Sequence, residues 1–237
     1  MNVAIIVAGG TGERTGLGAG KQLALIAGRP VLYHTVVAFD ACAAIDRIVV
    51  VVHPDRVDEY RVAAIDTVGS GKVAAVVAGG DTRQASVTAG LKAVPISADV
   101  ICVHDGARPL ITPDVIEAAL RMLEATPELA GVVVGHPAYD TLKSVDAGAG
   151  ITGTLDRSRV WVAQTPQVFR AHALRTAYAA AAAEGYVGTD DASLVERMGG
   201  ALVMFAGPRD NVKITVPEDV LLVEQILRAR GEGTSDG

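Results

Sequence analysis

The chain has 237 residues, half of them hydrophobic and a fifth charged, with 4% aromatic residues and a formal charge of −6. That composition excludes disorder over most of the length, and the acidic balance excludes wrapping a nucleic-acid polymer, which needs a basic footprint. The opening apolar run ends at Gly9–Gly10, too short for a signal peptide or membrane span, so a cytoplasmic protein with an aliphatic core and no membrane partner is expected.

In chain order, a first strand is predicted at Val3–Val7, followed by GGTGERTGLGAGKQ, a loop with glycines at 9, 10, 12, 16, 18 and 20 and the cations Arg14 and Lys21. Residues without Cβ let backbone N–H groups approach an anion closely, and two long cations among them suit more than one phosphate. A dinucleotide fingerprint needs a third glycine where Thr15 stands. A Walker loop needs glycine at 15 and Ser or Thr at 22, where this chain has Thr and Gln. What remains is a cradle for a triphosphate.

A helix is then predicted over Pro30–Phe39, a strand over Arg47–His53, a helix over Asp55–Ala64, a strand over Val73–Val77 and a helix over Asp81–Val94. Next come a strand at Val100–His104, a helix at Pro113–Ala125 and a strand at Ala130–Gly135. Pro30 and Pro113 suit a first helical turn, where a missing N–H costs nothing. Continuous Val/Ile/Ala runs alternating with helices predict an α/β fold with a mostly parallel sheet covered on both faces. Residues 139–162 change to short polar-apolar stretches and read as an inserted β-arm. Helices at Ala171–Glu184 and Asp190–Met198, a strand at Leu202–Ala206 and a last helix from Pro217 to Arg230 complete one domain over 1–230, leaving a disordered tail at 231–237.

Several candidate site residues follow predicted strands. Asp105, in VICVHDGARP, falls just beyond a strand's carboxyl end, where open α/β sheets bind ligands. It is a candidate Mg²⁺ ligand, with Asp210 in PRDNVKIT as the second, because this ion takes one or two carboxylates plus phosphate oxygens and water. Arg108 and Lys213 can pair with those carboxylates or bind a second phosphate. In GGDTRQAS, Gly80 permits close backbone approach, Asp81 is read as a helix cap and Ser86 as a hydroxyl for a base edge. His104 reads as a buried histidine bonded to the backbone rather than as a base, and Cys42 and Cys102 as buried free thiols.

Taken together, AGGTGERTG…GKQ, GGDTRQASV, HDGARP, DTLK, LDRSRVWVAQTPQ, GTDDAS and DNVKIT resemble the 2-C-methyl-D-erythritol 4-phosphate cytidylyltransferases over nearly the whole chain. The resemblance implies a single Rossmann-like nucleotidyltransferase domain that dimerises through its β-arm and couples CTP to 2-C-methyl-D-erythritol 4-phosphate, releasing pyrophosphate, with magnesium bridging the triphosphate. It implies that Arg14 and Lys21 stabilise charge on the transferred and leaving phosphates, and that Arg157 and Lys213 position the acceptor. It also implies a nucleotide site at Ala8, Gly9, Gly10, Gly80, Asp81 and Ser86, and an acceptor site at Asp105, Arg108, Thr141, Thr165 and Thr189. Gly9 stands where many of these enzymes carry alanine, a form shared with ribitol 5-phosphate cytidylyltransferases, whereas Trp161 after the arm arginines resembles the methylerythritol branch. A non-catalytic nucleotide-binding protein is the remaining alternative, and the full cation set argues against it.

Overall fold

A computed structural model describes residues 1–10 and 20–231, so Arg14 and nearly all of the predicted tail lie outside the described residues. The order of elements is β1 (Asn2–Ala8), β2 (Leu25–Ile26), β3 (Arg29–Pro30), α1 (Val31–Ala41), β4 (Arg47–Val52), α2 (Val57–Tyr60), β5 (Val73–Ala78), α3 (Arg83–Ala93) and β6 (Val100–Asp105). It continues with α4 (Pro113–Ala125), β7 (Gly131–Pro137), β8 (Lys143–Val145), β9 (Ile151–Thr154), β10 (Trp161–Arg170), α5 (Ala171–Glu184), α6 (Asp191–Arg197), β11 (Leu202–Ala206) and α7 (Pro217–Ala229).

Seven strands form the central sheet in the order β11-β7-β10-β6-β1-β4-β5. All are parallel except β10, which runs antiparallel to both β6 and β7. Alternation along β1 builds the two faces. Val3 and Ile5 join Val49, Val51, Val103 and the apolar sides of α3, α5 and α6. Ala4, Ile6 and Ala8 join Val50, Val52 and Cys102 beneath α1 and α4. Each fully buried Val, Ile or Leu is worth about 1.5–3 kcal/mol relative to exposure. These two layers therefore hold the carboxyl ends of β1 and β6 rigidly side by side. Cys42 and Cys102 are buried free thiols, as expected. Among the described residues no helix is long and apolar enough to cross a membrane.

The structure corrects the sequence reading at several places. Strand β10 begins inside the predicted arm and enters the sheet centre. Its pairing with β7 is interrupted between Ala163 and Gln167, around Pro166, which has no N–H to donate. That interruption hides the strand from a pattern search. The predicted helix at Asp55–Ala64 is broken into α2 flanked by 3-10 turns and one π turn at Arg61–Ile65; Val57 and Val62, stiff at χ1, weaken regular helix there. Pro30 precedes α1 as its N-cap rather than opening its first turn. It closes a two-residue hairpin whose central residues, Ala27 and Gly28, both take positive φ, as such a turn requires. Thr82, not Asp81, caps α3: its side chain accepts from Ala85 N at 3.0 Å.

Candidate functional site

The chain runs from β1 outward to β4 and β5, then returns to place β6 on the other side of β1. The order of strands reverses between β1 and β6, and open sheets leave a crevice beyond the strand ends at such a point. Val7 pairs in register with Asp105, so Gly9–Gly10 and Asp105 emerge together at that crevice. The cleft there has a volume of about 760 Å³, and its lining includes Gly9, Gly10, Lys21, Gly80, Asp81, Ser86, Asp105 and Lys213. The structure thus brings together the glycine, nucleotide-side and Asp105 positions read from sequence. Ala8, at the end of β1, is buried beneath them.

Close backbone approach shapes one wall. Ser86 Oγ accepts from Gly80 N and donates to Gly80 O, both at 3.2 Å, so its hydroxyl ties down the Gly79–Gly80 turn. A Cβ on Gly79 would stand 2.7 Å from that oxygen. Lys21 lies in a 3-10 turn, Lys21–Leu23, at the cleft edge. The neighbouring Gln22 is buried and accepts from Tyr60 Oη at 3.2 Å.

Asp105 is the electrostatic centre. Its Oδ1 accepts from Arg83 Nε at 3.0 Å, its Oδ2 accepts from Lys213 Nζ at 2.7 Å, and Arg108 Nε stands 3.8 Å away. Burial alone would raise the carboxyl's pKa, but Arg83, then Lys213 and Arg108, outweigh it and hold the group well below the usual carboxylate range. Burial lowers the pKa of the Arg108 guanidinium, which donates from Nη1 to Asn211 O at 2.7 Å.

Thr165 and His104 support this carboxylate from below. His104 Nε2 lies 3.2 Å from Arg108 O, which can only accept, so Nε2 carries the proton. Its Nδ1 therefore accepts from Thr165 Oγ1 at 3.0 Å, and Thr165 Oγ1 accepts in turn from Asp105 N. Burial pushes the imidazole pKa down to about 3, keeping it neutral. Thr165, expected against the acceptor, is buried with its hydroxyl engaged on both sides, and it does not line the cleft.

Other expected site residues stand apart. Arg157 and Thr141 lie exposed on the arm, with Arg157 Nη1 donating to Tyr139 O at 2.8 Å. Thr189 is exposed just ahead of α6. None of the three lines the cleft of this chain. Asp210 pairs with Arg230 at 2.8 Å and is likewise outside the lining. A two-carboxylate magnesium cage therefore does not fit the cleft: both oxygens of Asp105 already hold cations, and Asp210, with Oδ2 on Arg230 and Oδ1 buried without a hydrogen-bond partner, stands outside the lining. Among the described residues no group of three or more His, Cys, Asp or Glu side chains could hold a metal.

Sequence reasoning missed two features. The sequence places Arg83 with Asp81 and Ser86 on the helical turn after Gly79–Gly80 but gives it no partner; it reaches both Asp105 and, at 2.8 Å, the fully buried Asp191. Thr215 and Val216, at the start of α7, complete the rim. The Arg83–Asp191 contact spans 108 residues, and only GTDDAS hinted at Asp191.

Comparison with known proteins gives a consistent result. The profile of the family described as IspD, 2-C-methyl-D-erythritol 4-phosphate cytidylyltransferase, matches residues 2–229. A protein of that name from Geotalea uraniireducens is 43% identical over 228 residues, covering 95% of this chain and 96% of its own. One from Acidobacterium capsulatum is also 43% identical, with coverage of 95% and 97%. The crystal structure of 4-diphosphocytidyl-2C-methyl-D-erythritol synthase from Anaerococcus prevotii superposes with a TM-score of 0.84 at 27% identity, covering 96% of each chain. The 2-C-methyl-D-erythritol 4-phosphate cytidylyltransferase from Thermus thermophilus gives 0.73 at 29% identity, covering 96% of this chain and all of the other.

Proposed function

This chain belongs to the 2-C-methyl-D-erythritol 4-phosphate cytidylyltransferase family, and on that premise we propose that the Asp105 cleft is where it joins CTP to methylerythritol phosphate in the non-mevalonate route to isoprenoids. A phosphate oxygen of the acceptor attacks the α-phosphorus of CTP. The new P–O bond forms as the bond to the β-phosphate breaks, and pyrophosphate leaves with that electron pair. No base is needed, because the acceptor phosphate is already ionised; positioning and neutralisation of charge supply most of the rate.

The observation that carries this reading is the arrangement of the cleft: Gly9–Gly10, Lys21, Arg83 and Lys213 around one ionised carboxylate at the β1/β6 crevice. Backbone N–H groups at Gly9 and Gly10 suit the triphosphate, and Lys21, with Arg14, suits the charge on the leaving pyrophosphate. Gly80, Asp81 and the turn held by Ser86 suit ribose and cytosine. Lys213 and Arg108, on the other side of Asp105, suit the acceptor phosphate. Magnesium, whose usual ligands include substrate phosphates, is expected to enter with CTP rather than in a protein cage.

Arg157, Thr141 and Thr189 lie outside the cleft, and the arm carries exposed Val145, Ile151 and Leu155. A homodimer in which each arm covers the other subunit's cleft explains both features, and the working enzyme is proposed to be that dimer, acting in the cytoplasm. The test is pyrophosphate release by the purified protein with CTP, magnesium and a panel of polyol phosphates. Turnover that requires methylerythritol phosphate supports the reading; better use of ribitol 5-phosphate reassigns the acceptor, and CTP binding without turnover removes the enzyme.

A further inference from the structure

Arg83 holds Asp105 and is itself fixed from behind by a second carboxylate. It opens α3, directly after the Thr82 cap, and its guanidinium spans two carboxylates on different elements: Nε to Asp105 Oδ1 on β6, Nη2 to Asp191 Oδ2 on α6. Asp191 has no solvent exposure, and its other oxygen accepts from the hydroxyl of Tyr178 on α5. Its backbone is pinned as well. Asp190 and Ser193 form a capping box at the start of α6, and Gln167 Nε2 donates to Asp190 Oδ2 at 2.7 Å. A carboxylate buried this way is stable only while its cation stays in place, so Arg83 is not free to leave for a substrate.

Lys213 is held differently. It reaches the opposite oxygen of Asp105 from a segment outside helix and strand, its side chain is 36% exposed and it lines the cleft. A flexible ammonium can exchange partners where a planar fork bridging two carboxylates cannot. The two cations therefore divide the work on one carboxylate.

Building on the cytidylyltransferase reading, we propose that Arg83 is a positioning residue: clamped by Asp191 and Tyr178, it holds Asp105 in place and shares its charge, so that Lys213 can be released to a substrate phosphate. Without Arg83, Asp105 is left with Lys213 and the nearby Arg108, and the carboxylate draws those cations inward. The acceptor phosphate then competes for cations that Asp105 has already claimed. The nucleotide side, built on Gly9, Gly10, Gly80 and Lys21, is untouched.

The experiment is steady-state kinetics of Arg83→Gln, Arg83→Lys, Tyr178→Phe and the double variant Arg83→Gln/Asp191→Asn, each first shown to fold by circular dichroism and thermal melting. The double variant removes both charges together and leaves no buried ion unpaired, so it stays informative if Arg83→Gln fails to fold. Expected is a fall in kcat/KM for methylerythritol phosphate on the order of 10- to 100-fold, the scale of a misplaced reacting group, in Arg83→Gln and the double variant. KM for CTP should stay within about threefold. Arg83→Lys should recover part of the loss, and Tyr178→Phe should show a smaller fall of the same kind. A purely structural bridge predicts lower melting temperatures with acceptor kinetics unchanged, or KM for both substrates raised alike; either result overturns the proposal. Wild-type protein that turns over no polyol phosphate with CTP would instead remove the function on which it rests.

Discussion

Acid should destabilise this protein in a window set by His104. The imidazole is fully buried, lies against Phe39 with ring centroids 5.0 Å apart, and has both nitrogens engaged in the neutral state. Its pKa falls from 6.5 to about 3 on folding. Because the folded value is depressed, the unfolded chain takes up a proton below about pH 6.5 while the native state takes none until about pH 3. The contribution is fully present above pH 6.5 and is lost as pH falls. Each pK unit is worth about 1.36 kcal/mol, so the whole window amounts to roughly 5 kcal/mol, with about 3 of that gone by pH 4. Asp105 has the same sign, but its window lies below the ordinary carboxylate value of 3.8. The assay is urea unfolding of wild type and His104→Gln between pH 4 and 7. The wild-type stability should drop more steeply, by one proton's worth of slope, whatever the variant costs at neutral pH. The His104 ring signal in NMR should not titrate above about pH 4. Equal slopes, or titration of that ring near 6.5, would refute the buried neutral assignment and with it the Thr165–His104 support beneath Asp105.

Lys21→Ala should lower kcat by on the order of 10²- to 10³-fold, the usual cost of removing one group that stabilises developing charge; in a pyrophosphate-release assay a loss of only a few-fold would remove Lys21 from the transfer step. Arg157→Ala should chiefly impair use of the sugar phosphate and leave KM for CTP near wild type, and unchanged sugar-phosphate kinetics would place Arg157 outside the working site. Gly90→Ala should destabilise the fold by about 1–3 kcal/mol through overpacking, because its new Cβ would come within 2.7 Å of Ile5 Cγ2 and 3.0 Å of Val51 Cγ2; urea unfolding of an undiminished variant would show that α3 can back away from the sheet.

The sequence alone determined the alternating α/β order, because strands buried on both faces must be continuous apolar runs and the helices between them carry their own start signals. Val3–Val7, Val73–Val77, Val100–His104 and Pro113–Ala125 are legible for that reason. That Gly9, Gly10 and Asp105 would meet beyond the strand ends was legible too, since glycines and charge directly after an apolar run leave local marks. The tertiary structure alone decided where β10 inserts, because its pairing break at Pro166 removes the local pattern of a strand. It placed Thr165 beneath Asp105, with its hydroxyl bonded to the Asp105 N–H and to His104, and it paired Asp210 with Arg230 outside the cleft lining. It also made Arg83 the bridge between Asp105 and Asp191. Which carboxylate a cation meets depends on chain segments up to 108 residues apart, and no local propensity encodes a distance of that kind.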